Sequence, residues 1–258
     1  MLSLRREQTG KDGRSKMAIA RETLSIQEER EGFTLLIDGK ALMSPAGNLI
    51  ALPTRRLARA LAAELSTHED IDASRLNIYC LASTHADFIR KGKGIRPEHV
   101  ARIVLLDPAL QALPEAEADV LSPIEEILHA FLESSDLFPP QIPALPEPDI
   151  EKWLMNSDEG VQRNIEGILC MAREIFCGMS AAEHTVLINA GKVHRSFMLG
   201  LMLTKGEVSP AEYAAAVITS LRISPIAWGN IGTDQYRAAY EEVRLQADSM
   251  RLYLEECV

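Results

Sequence analysis

The 258-residue chain is poor in aromatic residues, which make up 5% of it, and it has only four cysteines. The cysteines stand at positions 80, 170, 177 and 257 and form no CxxC pair. Cys170 and Cys177 fall on one face of a predicted helix, where their separation along the helix disfavours a disulfide. We therefore expect the four cysteines to be small buried side chains in a reducing compartment.

The sequence also lacks any apolar run of transmembrane length and any apolar segment typical of a signal peptide near its start. Its formal net charge of −10 disfavours a broad nucleic-acid surface, which needs clustered Lys and Arg. We expect a soluble, cytoplasmic, monomeric protein that neither inserts into membranes nor binds nucleic acid. Residues 1–16 are polar and mildly basic, which indicates either a disordered tail or residues upstream of a start at Met17.

Motifs of common enzymes are missing as well. GxGxxG, GxxxxGK[ST] and GxSxG do not occur, so neither a phosphate-binding loop nor a nucleophile elbow is present in its usual form. Glu126 and His129 form a single ExxH pair, whereas a dimetal bundle needs two such pairs and further glutamates. We interpret His129 as a surface or half-buried histidine. The sequence therefore predicts no catalytic residues, no metal site and no cofactor.

The residues that are present divide into a short β region and a long helical region. Within residues 22–52, ETLSIQEE and GFTLLIDG are strand-like, and ALMS and residues 48–52 are expected to return as further strands. Asp38-Gly39 is typical of a type I′ hairpin turn, because both central residues of that turn have positive φ. Pro45 to Asn48 supplies another turn. The pattern predicts an antiparallel meander of about four strands.

From Pro53 onward, the apolar positions recur at helical spacing. Thr54 is the predicted N-cap of the first helix. The run FMLGLMLT is apolar on all sides and predicts a central buried helix, in which Gly200 allows a close helix crossing. Ser209 begins a capping-box signal, SPAEYAAAV. Other helices are predicted at 74–89 in part, at 97–106, from Ser122, at 149–156, at 159–177, at 180–204, and at the C-terminus with a seam from Tyr236 to Leu254.

These elements predict an α+β fold in three parts. Residues 1–20 form a disordered or extended tail, residues 21–72 an antiparallel β domain with its following helix, and residues 73–258 an all-helical domain. Five prolines within residues 138–148 predict an extended loop in the helical domain.

The β region and its helix resemble the assembly chaperone family of F-type ATP synthase known as Atp-twelve, which occurs in mitochondria and alphaproteobacteria. The matching motifs follow the family's order and spacing: Gly32-Phe33, Asp38-Gly39-Lys40, Pro45-x-Gly47, Leu52-Pro53-Thr54, Leu57-Ala58-x-Ala60 and Glu64. Farther along, the family's Trp-Asp-Pro corresponds to Leu121-Ser122-Pro123, and its Trp-Gly signature corresponds to Trp228-Gly229. The resemblance implies a β domain joined to a helical domain, and a non-catalytic activity that holds the ATP synthase α subunit before it pairs with β.

The chain departs from the family pattern at several places. The tryptophan that ends the family's first helix corresponds to Leu65, which is explained by simple repacking. The acidic, aromatic and Gln residues that precede Trp-Gly in the family correspond to residues 220–224, SLRIS. If the family's acid meets a basic patch on the client, Arg222 in its place would repel that patch.

Three hypotheses follow for the function. The first is a chaperone of the ATP synthase α subunit, and the second is a paralogous binding protein with a different client. The third is an enzyme of unrecognised type, which would need a deep pocket with converging polar groups. For either binding role, we expect the partner surface to comprise Arg222, Trp228, Asn230, Asp234 and Tyr236. The alternative for Trp228 is a buried anchor between the last two helices.

Overall fold

The computed structural model describes residues 24–30, 32–68, 71, 77–111, 118–140, 142–143, 147–222 and 233–257. By their contacts they fall into two compact units, unit 1 up to Lys93 together with residues 255–258, and unit 2 from Gly94 to Leu254. The sequence places a boundary after residue 72, whereas the contacts place it after Lys93. None of the described helices is both long and apolar enough to cross a bilayer.

Unit 1 begins with an antiparallel sheet in the order β1-β2-β3, formed by Leu24–Glu29, Gly32–Ile37 and Lys40–Ala41. The β2–β3 turn contains Asp38 at φ 52° and Gly39 at φ 74°, which confirms the predicted hairpin turn. Small antiparallel sheets need a covering layer, because a two- or three-stranded sheet buries too little apolar surface alone. The helices of unit 1 supply it, and the α+β fold class is confirmed.

The predicted fourth strand is wrong. Residues 48–52 make only isolated bridges, Met43 with Leu49 and Phe33 with Leu52. The second bridge is a true pair of backbone hydrogen bonds, at 2.7 and 2.8 Å between Phe33 and Leu52. A continuous ladder does not form, because the backbone closes into a tight turn in which the Ser44 N–H donates to Asn48 O at 2.8 Å.

Helix α1 at Arg55–Ser66 packs on β1 and β2, and α2 at Asn77–Asp87 packs against α1. Thr54 caps α1 as predicted, since its Oγ1 accepts the Leu57 N–H at 3.2 Å. Helix α2 is capped from outside by Glu64, whose carboxylate accepts the N–H groups of Asn77, Ile78 and Tyr79. The unit 1 core contains Leu35, Ile37, Leu42, Ile50, Leu52, Leu57, Leu61, Leu65, Ile78 and Leu81, all buried.

Unit 1 also includes the end of the chain. Thr54 Oγ1 donates to Glu256 at 2.5 Å, and Arg56 pairs with the same carboxylate at 2.7 Å. The Thr54 hydrogen bond lowers the pKa of Glu256, followed by the Arg56 contact. Residues more than 200 positions apart in sequence are therefore joined at the start of α1.

The regular elements of unit 2 in its described part are helices, apart from an isolated parallel bridge between Gln111 and Ile142. Its helices are α3 at Pro97–Leu105, α4 at Ala118–Glu133, α5 at Glu147–Asn156, α6 at Glu159–Cys177, α7 at Ala181–Asn189, α8 at Phe197–Lys205, α9 at Pro210–Arg222 and α10 at Thr233–Glu256, the last of which ends in unit 1. Helix α8 is the centre of this unit, because every residue from Phe197 to Thr204 is buried. Helices α3, α6, α7 and α9 all contact α8. The predicted central helix is confirmed.

The single helix predicted over 180–204 is wrong. Helix α7 ends at Asn189, a π-helical turn follows over Ala190–His194, and Arg195 adopts φ 58° before α8 begins. The break is stable because Ser196 Oγ accepts the Leu199 N–H at 3.1 Å and starts a new helix. The close crossing predicted at Gly200 is confirmed by geometry, since an added Cβ would lie 2.8 Å from the Ala190 Cβ.

Several boundaries and one burial expectation also differ. Helix α4 begins at Ala118 rather than Ser122, so Pro123 lies inside it, and α5 begins at Glu147, within the predicted proline loop. The cysteines are not buried: Cys170 and Cys177 are exposed, and Cys80 and Cys257 are intermediate. On α6 the buried positions are Ile165, Ile168, Ala172 and Phe176, and the helical repeat places the two cysteines on the opposite, exposed side of the helix.

Candidate functional site

The predicted partner residues lie at the end of α9 and the start of α10. Arg222 is the last residue of α9 and Asp234 the second residue of α10, while Trp228 and Asn230 lie outside the described residues. Tyr236 is half-buried on the first turns of α10. Tyr236 is also the one member of the set whose side chain is described, so the structure leaves this surface a prediction.

A buried hydrogen-bond chain fixes the two helices that carry this predicted surface. His194 Nδ1 lies 2.8 Å from the Tyr213 hydroxyl on α9, and His194 Nε2 lies 2.6 Å from Gln246 Oε1 on α10. The Gln oxygen can only accept, so the proton of the neutral imidazole sits on Nε2 and the Tyr213 hydroxyl donates to Nδ1. The π-helical turn thus holds α9 and α10 in one arrangement.

Burial decides the protonation states of His194 and Tyr213 in this hydrogen-bond chain. It lowers the pKa of His194, partly offset by the Gln246 hydrogen bond, so the imidazole is neutral near pH 7. Burial also raises the pKa of Tyr213, and the nearby Asp107 charge adds to that effect. Both nitrogens of the neutral His194 ring are engaged, one with Tyr213 and the other with Gln246, so the ring joins the two helices.

A second buried polar cluster surrounds Asp107, which follows α3. Its Oδ1 accepts the Ala109 N–H and the Ser196 hydroxyl, both at 2.9 Å, and its Oδ2 accepts the Met198 N–H at 2.7 Å. Burial raises the pKa of Asp107 to about 6, against the opposing effect of these donors. Since all its contacts satisfy the start of α8 and the adjacent turn, the carboxylate acts as an internal cap.

The described residues do not assemble a metal-binding cluster. Within the part of the chain that the structure describes, no three His, Cys, Asp or Glu side chains lie close enough to hold an ion. The ExxH residues behave as the sequence indicates, since Glu126 is exposed and the His129 side chain is 52% exposed and 3.7 Å from Glu133.

A surface that the sequence interpretation missed lies in unit 1. Among the residues of unit 1 that the structure describes, three large apolar side chains are exposed by about two-fifths or more, Met43 at 43%, Leu49 at 39% and Phe88 at 45%. Met43 and Leu49 face each other across the bridge that closes the 44–48 turn. Phe88 directly follows Asp87, whose carboxylate accepts hydrogen bonds from Ser44 and Asn48 in that turn. We call Met43, Leu49 and Phe88 the unit 1 apolar surface.

Comparison with known families gives one match. A family model described as "ATP12 chaperone protein" matches residues 19–106. This range includes β1 to α3 and every motif of the N-terminal resemblance. A search of curated proteins finds no match.

Comparison with solved structures gives several matches over most of the chain. Atp12 from Paracoccus denitrificans matches at 16% identity and a TM-score of 0.60, over 92% of this chain and 98% of that one. A point variant of the same Paracoccus protein matches at 18% identity and 0.59, over 92% and 97%. The Atu1473 protein of Agrobacterium tumefaciens matches at 18% identity and 0.59, over 95% of this chain and 87% of that one. At these identities, the likeness establishes the fold of both units.

Proposed function

We propose that the chain is a member of the ATP12 chaperone family and an assembly chaperone of F-type ATP synthase. The observation that carries the proposal is the family match over residues 19–106. Within this range, several of the motif residues form turns or cap helices. Asp38-Gly39 forms the hairpin turn, Thr54 caps α1, and Glu64 caps α2. The family motifs are thus the residues that build unit 1.

The client that we propose is the unassembled ATP synthase α subunit. A subunit awaiting its partner exposes an interface of about 2,000 Å² or more, and such a surface promotes aggregation until it is covered. Covering it requires a stable folded surface but no bond-making chemistry. The two buried polar clusters of unit 2 support this reading, because their groups are satisfied by one another and hold helices in place.

The test is a direct capture experiment with purified proteins. The α subunit is diluted from denaturant with and without this chain, light scattering reports aggregation, and size-exclusion chromatography reports a complex. We expect scattering to fall at stoichiometric chaperone and a one-to-one complex to elute. Aggregation that proceeds unchanged, with no complex at micromolar concentrations of both proteins, would contradict the proposal.

A second candidate function is a binding module of the same fold with a different client. It is favoured by the sequence SLRIS at residues 220–224, where the family has acidic residues. Arg222→Glu distinguishes the two, since restoring an acid should strengthen capture of the α subunit if a basic patch on that subunit meets this position. Arg222→Gln is the matched control for loss of charge alone. If Arg222→Glu instead leaves α capture absent and releases a different co-purifying protein, the paralogous role is favoured.

The same variants decide whether the predicted surface is structural. Arg222 ends α9, so a change there that lowers the melting temperature as much as it weakens binding would assign the residue to the fold rather than to the partner surface. The non-catalytic activity, the cytoplasmic location and the monomeric state remain predictions.

A further inference from the structure

The unit 1 apolar surface is held rigidly from beneath. The Tyr79 hydroxyl donates to Met43 O at 2.9 Å, and Asp87 receives the side chains of Ser44 and Asn48. These bonds tie the 43–49 turn to both the first and the last turn of α2. Because the backbone that carries the apolar side chains is already ordered, contact with a partner costs little additional loop entropy.

A basic cluster adjoins Phe88. The N–H groups of Lys91 and Lys93 both donate to Phe88 O, at 3.2 and 2.8 Å. Phe88 and the two lysines therefore belong to one tight backbone turn. Both lysines are exposed, and among the described residues no carboxylate lies within salt-bridge distance of either. In a chain of net charge −10, this turn is a local reversal of sign next to an exposed aromatic side chain.

An aromatic side chain flanked by aliphatic ones forms the usual centre of a protein interface, with charge at its rim. The Asp87 carboxylate carries a negative charge and is held by Ser44, Asn48 and the Ala46 N–H, but Lys91 and Lys93 outnumber this single charge. A basic partner would be repelled by Lys91 and Lys93, whereas an acidic one gains from both.

We propose that the unit 1 apolar surface, together with Lys91 and Lys93, is a docking site for an acidic segment of the client polypeptide that carries an apolar anchor. The anchor packs against Phe88 and the Met43–Leu49 pair, and its flanking carboxylates meet the two lysines. This site deepens the proposed chaperone function and rests on it, since it assigns unit 1 a direct part in holding the client.

The test uses the full chain and two binding probes. The first probe is the purified ATP synthase α subunit. The second is a synthetic Glu-rich peptide that carries one Phe, with a Lys-rich peptide of the same length and the same Phe as its counterpart. Binding is measured by fluorescence anisotropy at low and high salt, because an ion-paired rim weakens as salt screens it.

The variants are chosen so that folding is not in question. Lys91→Glu/Lys93→Glu changes only exposed charge, and Phe88→Ser removes only the anchor ring. Met155→Ser/Lys152→Glu is the matched control, since Met155 is 73% exposed and Lys152 is exposed on helix α5 of the other unit. Circular dichroism and melting temperature confirm that each variant is folded.

We expect both surface variants to bind the α subunit at least tenfold more weakly, with the control unchanged and the charge variant losing its salt dependence. If the wild-type chain captures the α subunit and the surface variants do so equally well, the docking site is refuted while the proposed function stands. If the wild-type chain does not capture the α subunit, the proposed function fails, and peptide binding then decides whether the docking site exists. Binding of the acidic peptide alone, lost in the surface variants, then supports the site, and no binding or equal binding of both peptides refutes it.

Discussion

Asp107→Asn is the substitution that tests the internal cap of α8 most directly. The wild-type carboxylate accepts from the Ala109 N–H, the Ser196 hydroxyl and the Met198 N–H. Asparagine has one acceptor oxygen and one NH₂ group. In either amide orientation, at least one buried backbone N–H therefore faces another donor. An unsatisfied buried donor costs about 1–3 kcal/mol of unfolding free energy.

An opposing effect depends on pH. Burial raises the pKa of Asp107 to about 6, so the folded state binds a proton more tightly than the unfolded state does. The stability that this proton contributes is fully present below the unfolded pKa near 4 and is lost as pH rises through about 6. It amounts to about 1.4 kcal/mol at pH 5 and is negligible at pH 8. Asparagine does not titrate and has no such contribution.

The two effects together predict how the stability difference changes. At pH 5 the wild-type unit 2 is more stable than Asp107→Asn, and by pH 8 the difference in unfolding free energy narrows by about 1.4 kcal/mol. Both tryptophans, Trp153 and Trp228, fall within residues 94–254, so tryptophan fluorescence during urea unfolding reports this unit. Asp149→Asn, at an exposed position on α5, is the control for the same chemical change. A difference that stays constant or widens between pH 5 and pH 8 would refute the account of Asp107 as a proton-binding buried cap.

Three further substitutions test other contacts, each followed by thermal unfolding. Gly200→Ala forces a Cβ into the close helix crossing and is expected to destabilise unit 2 by about 1–3 kcal/mol, whereas Gly191→Ala, with open space around its Cβ, should be neutral or slightly stabilising. Thr54→Ala removes the α1 cap and should lower unit 1 stability by about 1 kcal/mol, while Thr54→Ser retains it. Tyr213→Phe leaves the His194 ring without its donor and should cost about 1–3 kcal/mol, and no loss would mean that the buried pair contributes nothing.

Local sequence signals correctly predicted the turns and helix ends that are stabilised by residues close in sequence. The Asp38-Gly39 turn, the Thr54 cap and the capping box at Ser209 all appear where expected, the last with Ser209 Oγ accepting the Glu212 N–H at 3.2 Å. Helix α6 also has the predicted bounds, because an Asp cap and a sustained apolar face define it within its own sequence.

The break between α7 and α8 could not be predicted in this way. Residues 180–204 are apolar at helical spacing, so periodicity alone favours one long helix. What stabilises two helices is Asp107, which lies about ninety residues earlier and reaches Ser196 and Met198 only after folding. The short β elements were misjudged for a related reason, since Ser44 and Asn48 bind a carboxylate on α2 in place of a neighbouring strand.

The candidate sites likewise depend partly on local sequence and partly on tertiary contacts that the sequence does not reveal. Exposure depends on which face of an element meets the core, so Met43 and Phe88 could not be distinguished from core residues by type alone. The segment Phe88-Ile-Arg-Lys-Gly-Lys does carry a signal, an aromatic residue followed by clustered positive charge in an acidic chain. The surface predicted around Arg222 came instead from the family resemblance.

The contact of Thr54 and Arg56 with Glu256 bears on how the chain matures during synthesis. Unit 1 joins the start of α1 to Glu256, which is synthesised about two hundred residues later. The β module and α1 therefore acquire this carboxylate partner only after nearly all of unit 2 has been synthesised.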